Sequence, residues 1–252
     1  MAIFEYHRPK TMAEAISLLA RGNPLGGGTS LTPQRTDLKG VVDLQALSLD
    51  RLEFSAREIS AGATLSLEAL AQACQVEAPA VSEAARKEAS LNLRNVATLA
   101  GAIVAGGGRS PLAAVLLAAR AFVTLEPGAE SAPLDVFLNR RDAFLTGRVV
   151  VAVHIPRPVF LGYLQVGRSP ADRPIVCAAL ARWTAAPGFS AALGGYGSRP
   201  TFLDELPPEP GAAGVVAREA YSGAGDAWAS AEYRAEVAAI LVGRLLREAD
   251  RR

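Results

Sequence analysis

Two glycine-rich segments hold the residue types whose spacing points to chemistry. The first is Leu25-Gly26-Gly27-Gly28-Thr29-Ser30-Leu31, where glycines follow an apolar residue and hydroxyls follow the glycines. Without Cβ atoms, successive N–H groups converge into a concavity that suits an anion such as pyrophosphate, and Thr29 and Ser30 add hydroxyl donors at its rim. The second is Arg94-Asn95-Val96-Ala97-Thr98-Leu99-Ala100-Gly101, a further backbone nest placed to grip the other phosphate of a dinucleotide. No Gly-Lys-Ser/Thr follows the first run and it lacks Gly-x-Gly-x-x-Gly, so it is neither a P-loop nor a dinucleotide fingerprint. Taken alone, a flexible turn is the alternative reading of that run. For Thr98 and Gly101 ligand contact is favoured, whereas Arg94 reads as a structural charge tying a helix end to nearby carbonyls.

Other chemistries lack their residues. Cys74 and Cys177 stand far apart with no Cys-x-x-Cys, so neither an iron–sulfur cluster nor a zinc ribbon can be built within this chain. His7 and His154 are isolated, which removes His-Glu-x-x-His metal sites. The 26 basic residues nearly cancel the 25 acidic ones, giving a net charge of +1 and arguing against nucleic acid as a partner. The basic set is almost all arginine (the lysines are Lys10, Lys39 and Lys87), a skew read as compositional bias. A charge and Pro9 stand where a signal peptide needs an apolar run, and Leu112–Leu125 is broken by Arg120 and shorter than the ~18–20 residues of a membrane span. A cytoplasmic protein with reduced thiols and no transmembrane segment is expected.

The elements that position the two loops follow from pattern and caps. At 252 residues the chain exceeds the common domain size of about 100–150, so two domains are expected. Thr11-Met12-Ala13-Glu14 predicts a capping box, with Ala15, Leu18 and Leu19 on one helical face and Gly22-Asn23 as the stop. Val41–Leu44 predicts a short strand, and Arg51–Phe54 with Glu58–Ala61 a strand pair. Helices are expected over Leu67–Ala73, with Ser66 as N-cap, over Val81–Arg86, and from Pro111 to Ala119. Val149–Val153 predicts a buried strand, and Pro156 and Pro158 mark a boundary. Beyond it, Leu161–Val166, Ile175–Thr184 and Ser190–Gly195 suggest an antiparallel meander. Ser198–Gly214, rich in proline, reads as a loop. A last amphipathic helix places Val237, Ile240, Leu241 and Leu245 inward and Glu232, Arg234, Glu236 and Arg247 outward. The fold class is α+β.

With these motifs in order, the chain resembles the FAD-binding subunit of molybdenum hydroxylases, as in xanthine dehydrogenase and carbon monoxide dehydrogenase. Phe4-x-Tyr6-x-x-Pro9 with Glu14-Ala15 resembles the family's opening, and Leu25–Leu31 its first flavin loop. Val42-Asp43-Leu44 and Ile59-Ser60-Ala61-Gly62-Ala63-Thr64 follow in order, then Arg94 to Gly101 as the second flavin loop and Ser110-Pro111 after it. In the second half Gly167-Arg168 with Asp172, Gly194-Gly195, Pro200 and Ser230–Arg234 are similar to the family's C-terminal pattern.

The resemblance implies a two-part FAD-binding domain of the vanillyl-alcohol-oxidase and peroxidase-reductase-like type over residues 1–156, divided near residue 52. A smaller C-terminal α+β domain with an antiparallel sheet follows over 157–252. It implies FAD as cofactor, held by Leu25, Gly26, Gly27, Gly28, Thr29, Ser30, Leu31, Ala97, Thr98, Gly101 and Ser110, with no catalytic side chain and no metal ligand of the chain's own. It further implies an oxidoreductase subunit passing electrons from iron–sulfur clusters through FAD to an acceptor such as NAD or a quinone. The partners would be a molybdenum-cofactor subunit and a [2Fe–2S] subunit, in a heterotrimer or its dimer. A scaffold that has lost flavin is the alternative, and a free-standing flavin oxidase a third reading. Ala102 replaces the family's Asn or Ser, Ala114 its Asp and Gln165 its Lys, and Ala105–Arg109 lengthens the second loop. Two lost neutral hydrogen bonds predict FAD binding weaker by roughly 5- to 150-fold. Arg109 is then either a phosphate partner that recovers part of this or a solvated loop charge.

Overall fold

The computed structural model describes residues 4–34, 38–169, 172–184 and 188–251. The chain opens with β1 (Glu5–His7), α1 (Met12–Leu18), β2 (Asn23–Leu25) and β3 (Gly40–Asp43). The strands form a three-stranded parallel sheet in the order β1-β3-β2. All of β3 is buried, which suits its unalternating Gly40-Val41-Val42 run, and the buried Asp43 at its end accepts from the Tyr6 hydroxyl and the Gln45 amide. At the head of α1, Thr11 accepts from the Glu14 amide at 3.2 Å, but the Glu14 carboxylate turns to the amide of Lys10 at 2.9 Å instead of that of Thr11.

Next come β4 (Leu52–Phe54) and β5 (Glu58–Gly62), then α2 (Leu67–Glu77), α3 (Pro79–Glu88), α4 (Leu91–Arg94), α5 (Leu99–Ala105) and α6 (Pro111–Ala118). The predicted caps are in place: Ser66 accepts from the Ala69 amide, and Pro111 opens α6. A hairpin the sequence did not announce, β6 (Phe122–Glu126) and β7 (Glu130–Pro133), leads through α7 (Leu134–Asn139) and α8 (Arg141–Leu145) to β8 (Val149–Pro156). These strands make a five-stranded antiparallel sheet, β4-β5-β8-β6-β7.

The meander appears as β9 (Phe160–Val166), β10 (Val176–Arg182) and β11 (Phe189–Gly194), extended by β12 (Thr201–Leu203) into a four-stranded antiparallel sheet. Two helices, α9 (Pro210–Ala220) and α10 (Ala231–Ala249), pack on each other, and α10 covers β9 and β10. The Ser198–Gly214 loop reading therefore needs correction. It contains β12 and the start of α9, because Pro210 occupies the first helical turn, where proline is tolerated, and does not act as a breaker.

Every residue of α6 is buried, and the helix packs against α3, β10 and β11. The long apolar run is thus a core helix continued by β6, and no helix among the described residues is long and apolar enough to cross a membrane. One core spans the five-stranded sheet, α2, α3, α5 and α6, and takes in Tyr163, Cys177, Ala179 and Ala192 from the four-stranded sheet.

The last helix corrects two residues. Ile240 is 49% exposed, whereas Arg234 is fully buried. Its guanidinium donates to the carbonyls of Ile175 at 3.1 Å and Ala224 at 2.7 Å and to Asp226 at 2.8 Å. It reads as a surface charge only while those carbonyls, from the turn before β10 and the turn after α9, are out of view. Arg234→Ala should lower the unfolding free energy by about 3–5 kcal/mol, the range for removing one partner of a buried ion pair. Chemical denaturation measures it, and a cost within the roughly 0.5 kcal/mol of an ordinary surface change would contradict the assignment.

Candidate functional site

The first glycine run leaves the end of β2. The Gly26 carbonyl is held by the Gln45 side chain at 3.0 Å, and the Gly28 carbonyl accepts from the Thr32 amide at 2.8 Å. Gly28 has φ +73°, a left-handed conformation that glycine adopts without cost. Among the described residues, no backbone N–H from Gly26 to Leu31 finds an acceptor. That leaves a row of donors at a half-exposed loop, the feature an anion site requires.

The second run meets the first directly. A Cβ on Gly27 would lie 1.7 Å from the Val96 carbonyl oxygen, and one on Gly26 would lie 2.6 Å from the Thr98 hydroxyl. These glycines are fixed by loop-on-loop packing before any ligand is considered. The pairing of two donor nests fails, however. Leu99 and Ala100 donate to the Leu65 and Ala63 carbonyls at 2.8 and 3.1 Å. Gly101 donates to the Thr98 hydroxyl at 3.2 Å, and Ala102 to the Thr98 carbonyl at 2.9 Å. Thr98 is the buried N-cap of α5, so the second loop shapes the site but has no donor to spare over these four amides.

Two cavities flank this junction and share Gly101. One, of about 290 Å³, has Gly26, Leu31 and Thr98 on its wall together with apolar side chains such as Leu44, Val104 and Val150, and Arg148 beside them. The other, of about 160 Å³, is lined by Thr29, Ser30, Ala97 and Ala102, with Glu88 and Arg173 on the same wall. The first lies at the lower end of the roughly 300–1,000 Å³ of small-molecule sites, and the second is smaller. Leu25, Gly27 and Gly28 are not among the residues lining either cavity; Gly27 packs on the Val96 carbonyl and Gly28 on the Leu25 side chain. The residues fit a pyrophosphate at the first loop.

Ser110 lies apart from the two loops. It is 1% exposed, caps α6 by accepting from the Ala113 amide at 3.0 Å, and donates to Glu88 at 2.8 Å, so its hydroxyl is taken up inside the protein. Arg94 has the structural role expected, bonded to Glu68 and to the carbonyls of Arg86 and Ala89. Arg109 is not a simple solvated charge; its guanidinium is committed within the protein. It donates to the carbonyls of Pro174 at 3.0 Å and Arg173 at 2.8 Å and stacks 4.4 Å from the Trp228 ring centroid. The lengthened loop that carries it docks on the turn after β11: Gly108 donates to the Gly197 carbonyl at 3.0 Å and accepts from the Gly195 amide at 2.7 Å. Ala102 does face the second cavity, but Ala114 is wholly buried and lies beside Gly194, so an Asp there would enter the core.

Glu88 and Arg173 are site residues that sequence reasoning missed. Glu88 continues the buried stripe of Val81, Ala84 and Ala85 at helical spacing, the one signal that it points inward. Its Oε2 accepts from Ser110 and from the Leu112 amide at 3.1 Å. Burial pushes its carboxyl above the ordinary carboxylate range, against those two bonds and the nearby Arg173.

Two outcomes follow from this geometry. Gly27→Ala forces the loops apart and should cost about 1–3 kcal/mol, as overpacking does. Gly211→Ala, where a Cβ meets nothing within 4 Å, is the neutral control, and equal melting temperatures for the two would refute the packing. For Glu88, a raised folded value means that the native state keeps a proton which the unfolded chain has released. Its stabilisation is present below the unfolded value and is lost as pH rises through the window up to the folded one. Glu88→Gln should flatten that slope in denaturation curves taken across mildly acidic pH, and an unchanged slope would remove Glu88 as its source.

Residues 2–158 match the family described as the FAD binding domain in molybdopterin dehydrogenase. The uncharacterized protein YgfM of Escherichia coli strain K12 is 30% identical over 211 residues, 81% of this chain and 79% of that protein. Reconstituted CO dehydrogenase from Oligotropha carboxidovorans superposes with a TM-score of 0.82 at 24% identity over 99% of this chain and 98% of that one. Quinoline 2-oxidoreductase from Pseudomonas putida 86 gives 0.81 at 22% over 99% and 97%. These solved structures share the fold and bear out its α+β class. With its first loop, its sheets and its sequence in agreement, the chain belongs to the FAD-binding family of molybdopterin dehydrogenases, and FAD is its cofactor.

Proposed function

We propose that this chain is the electron-transfer flavoprotein subunit of a molybdenum hydroxylase, with the FAD pyrophosphate seated on the first glycine loop. The observation that carries it is the row of N–H groups from Gly26 to Leu31 that meet no acceptor among the described residues, beside the two cavities. Thr29 and Ser30 add hydroxyls on the second cavity, while Ala97, Thr98 and Gly101 supply walls. When bound, FAD supplies a redox centre that takes electrons from iron–sulfur clusters and passes them to an acceptor such as NAD or a quinone. The chain's own residues bind, orient and shield it, and none acts as an acid or base.

The clusters and the molybdenum centre belong to separate subunits in this reading, because this chain has two cysteines that are both buried and free. Burial pushes the Cys74 thiol up to about 11 and the Cys177 thiol up to about 12, away from the thiolate form a cluster needs. Leu91 and Leu93, just before the second loop, and Val96 within it lie half exposed, and such apolar side chains suit a partner subunit. We place the domain division at residues 1–156 and 157–252, between β8 and β9, and the complex in the cytoplasm.

Titration of the purified chain with FAD, followed by flavin fluorescence, tests the site. Thr29→Ala and Ser30→Ala should each weaken binding by roughly 2- to 13-fold, the worth of one neutral hydrogen bond. No saturable binding at millimolar FAD would favour the flavin-less scaffold over the electron-transfer subunit.

A further inference from the structure

We propose that Arg173 is the positively charged partner of the pyrophosphate, an inference that rests on the seating of FAD at the first glycine loop. Arg173 lies between β9 and β10, outside both glycine runs, yet lines the same cavity as Thr29 and Ser30. Its main chain is anchored: Arg109, from the second loop, donates to the Arg173 carbonyl at 2.8 Å and to that of Pro174 at 3.0 Å. The side chain by contrast is 52% exposed, and among the described residues its guanidinium makes no hydrogen bond. Glu88 is the nearest carboxylate at 3.9 Å, beyond hydrogen-bond reach, and its other oxygen is committed to Ser110 and Leu112.

Neighbouring arginines are already engaged. Arg94 is tied to Glu68 and two carbonyls, Arg86 bonds to Gln75 at 3.1 Å, and Arg109 is the anchor itself. Arg173 therefore brings a planar fork of uncommitted donors, the geometry that matches a phosphate bidentately, to the wall that also carries Thr29 and Ser30. Glu88 on that wall opposes an anion only when ionised, and its burial disfavours the ionised form. A guanidinium here offsets the polar contact missing at Ala102, which lines the same cavity.

The test is FAD titration of the full chain at several KCl concentrations, comparing parent, Arg173→Gln, Arg173→Lys and Ser30→Ala. Arg173→Gln should weaken FAD binding roughly 10- to 150-fold, the range for a charge-assisted hydrogen bond, with an unchanged melting temperature. Its affinity should also depend less steeply on salt than the parent's, because the screened charge is gone, while Arg173→Lys keeps part of both. Parent-like affinity in Arg173→Gln, with Ser30→Ala weakened, overturns the role of Arg173 and leaves the loop site standing. A weakened Arg173→Gln with the parent's salt slope also overturns it, since the residue then acts through structure. Absence of FAD binding by the parent itself overturns the loop site and this inference together.

Discussion

The contact between Gly27 and the Val96 carbonyl leaves no room for a side chain, and most of the site follows from it. It presses the end of the parallel sheet onto the start of α5. There Thr98 caps the helix, and the carbonyls of Ala63 and Leu65, from the chain leaving β5, take the first helical amides. The five-stranded sheet is joined to the three-stranded one through that cap. A second close approach, of Gly62 to the Leu49 carbonyl, tightens the same join. The first amides of α5 are spent on that join, whereas those from Gly26 to Leu31 meet no acceptor among the described residues.

The first loop, the caps at Thr11 and Ser66, the helix start at Pro111 and the meander were all legible, because each is encoded by neighbours in sequence. What stayed hidden depends on distant chain. The donors of the second loop are spent on carbonyls some thirty-five residues earlier (Ala63 and Leu65), and no local pattern reveals that. Arg234 reads as a surface charge because charge normally means solvent, and Glu88 lies beyond the helix expected over Val81–Arg86; each meets acceptors or donors that only the folded chain assembles. Ser110 carries a cap signal and a motif signal at once, and the buried carboxylate of Glu88 settles it toward structure. At β12 and α9 composition misled, since proline density suggested a loop where one proline begins a helix.

The arginine skew, read as compositional bias, has a structural use. Arg94 donates to the carbonyls of Arg86 and Ala89, Arg109 to those of Arg173 and Pro174, and Arg234 to those of Ile175 and Ala224. A guanidinium reaches two carbonyls, of one bend at Arg94 and Arg109 and of two different turns at Arg234, with a rigid fork, which a lysine ammonium on its flexible stem does less well. Bends that lack a helix cap or a ladder partner are satisfied in this way, consistent with the near-absence of orphaned backbone groups in folded chains.

One of these struts carries the site across the molecule. Arg109 and Gly108 fasten the second loop to the strand turns at Arg173 and Gly195–Gly197, so the four-stranded sheet is held by backbone bonds as well as by the shared core around Cys177 and Ala192. The second cavity is then built from both halves of the chain: Thr29, Ser30 and Ala102 from the first, Arg173 from the other. The Arg173 carbonyl, just before β10, is thus tied to the Ala105–Arg109 segment through the Arg109 side chain. Arg234, which holds the Ile175 carbonyl next to that turn, braces the same segment from the opposite side of the chain without lining the cavity.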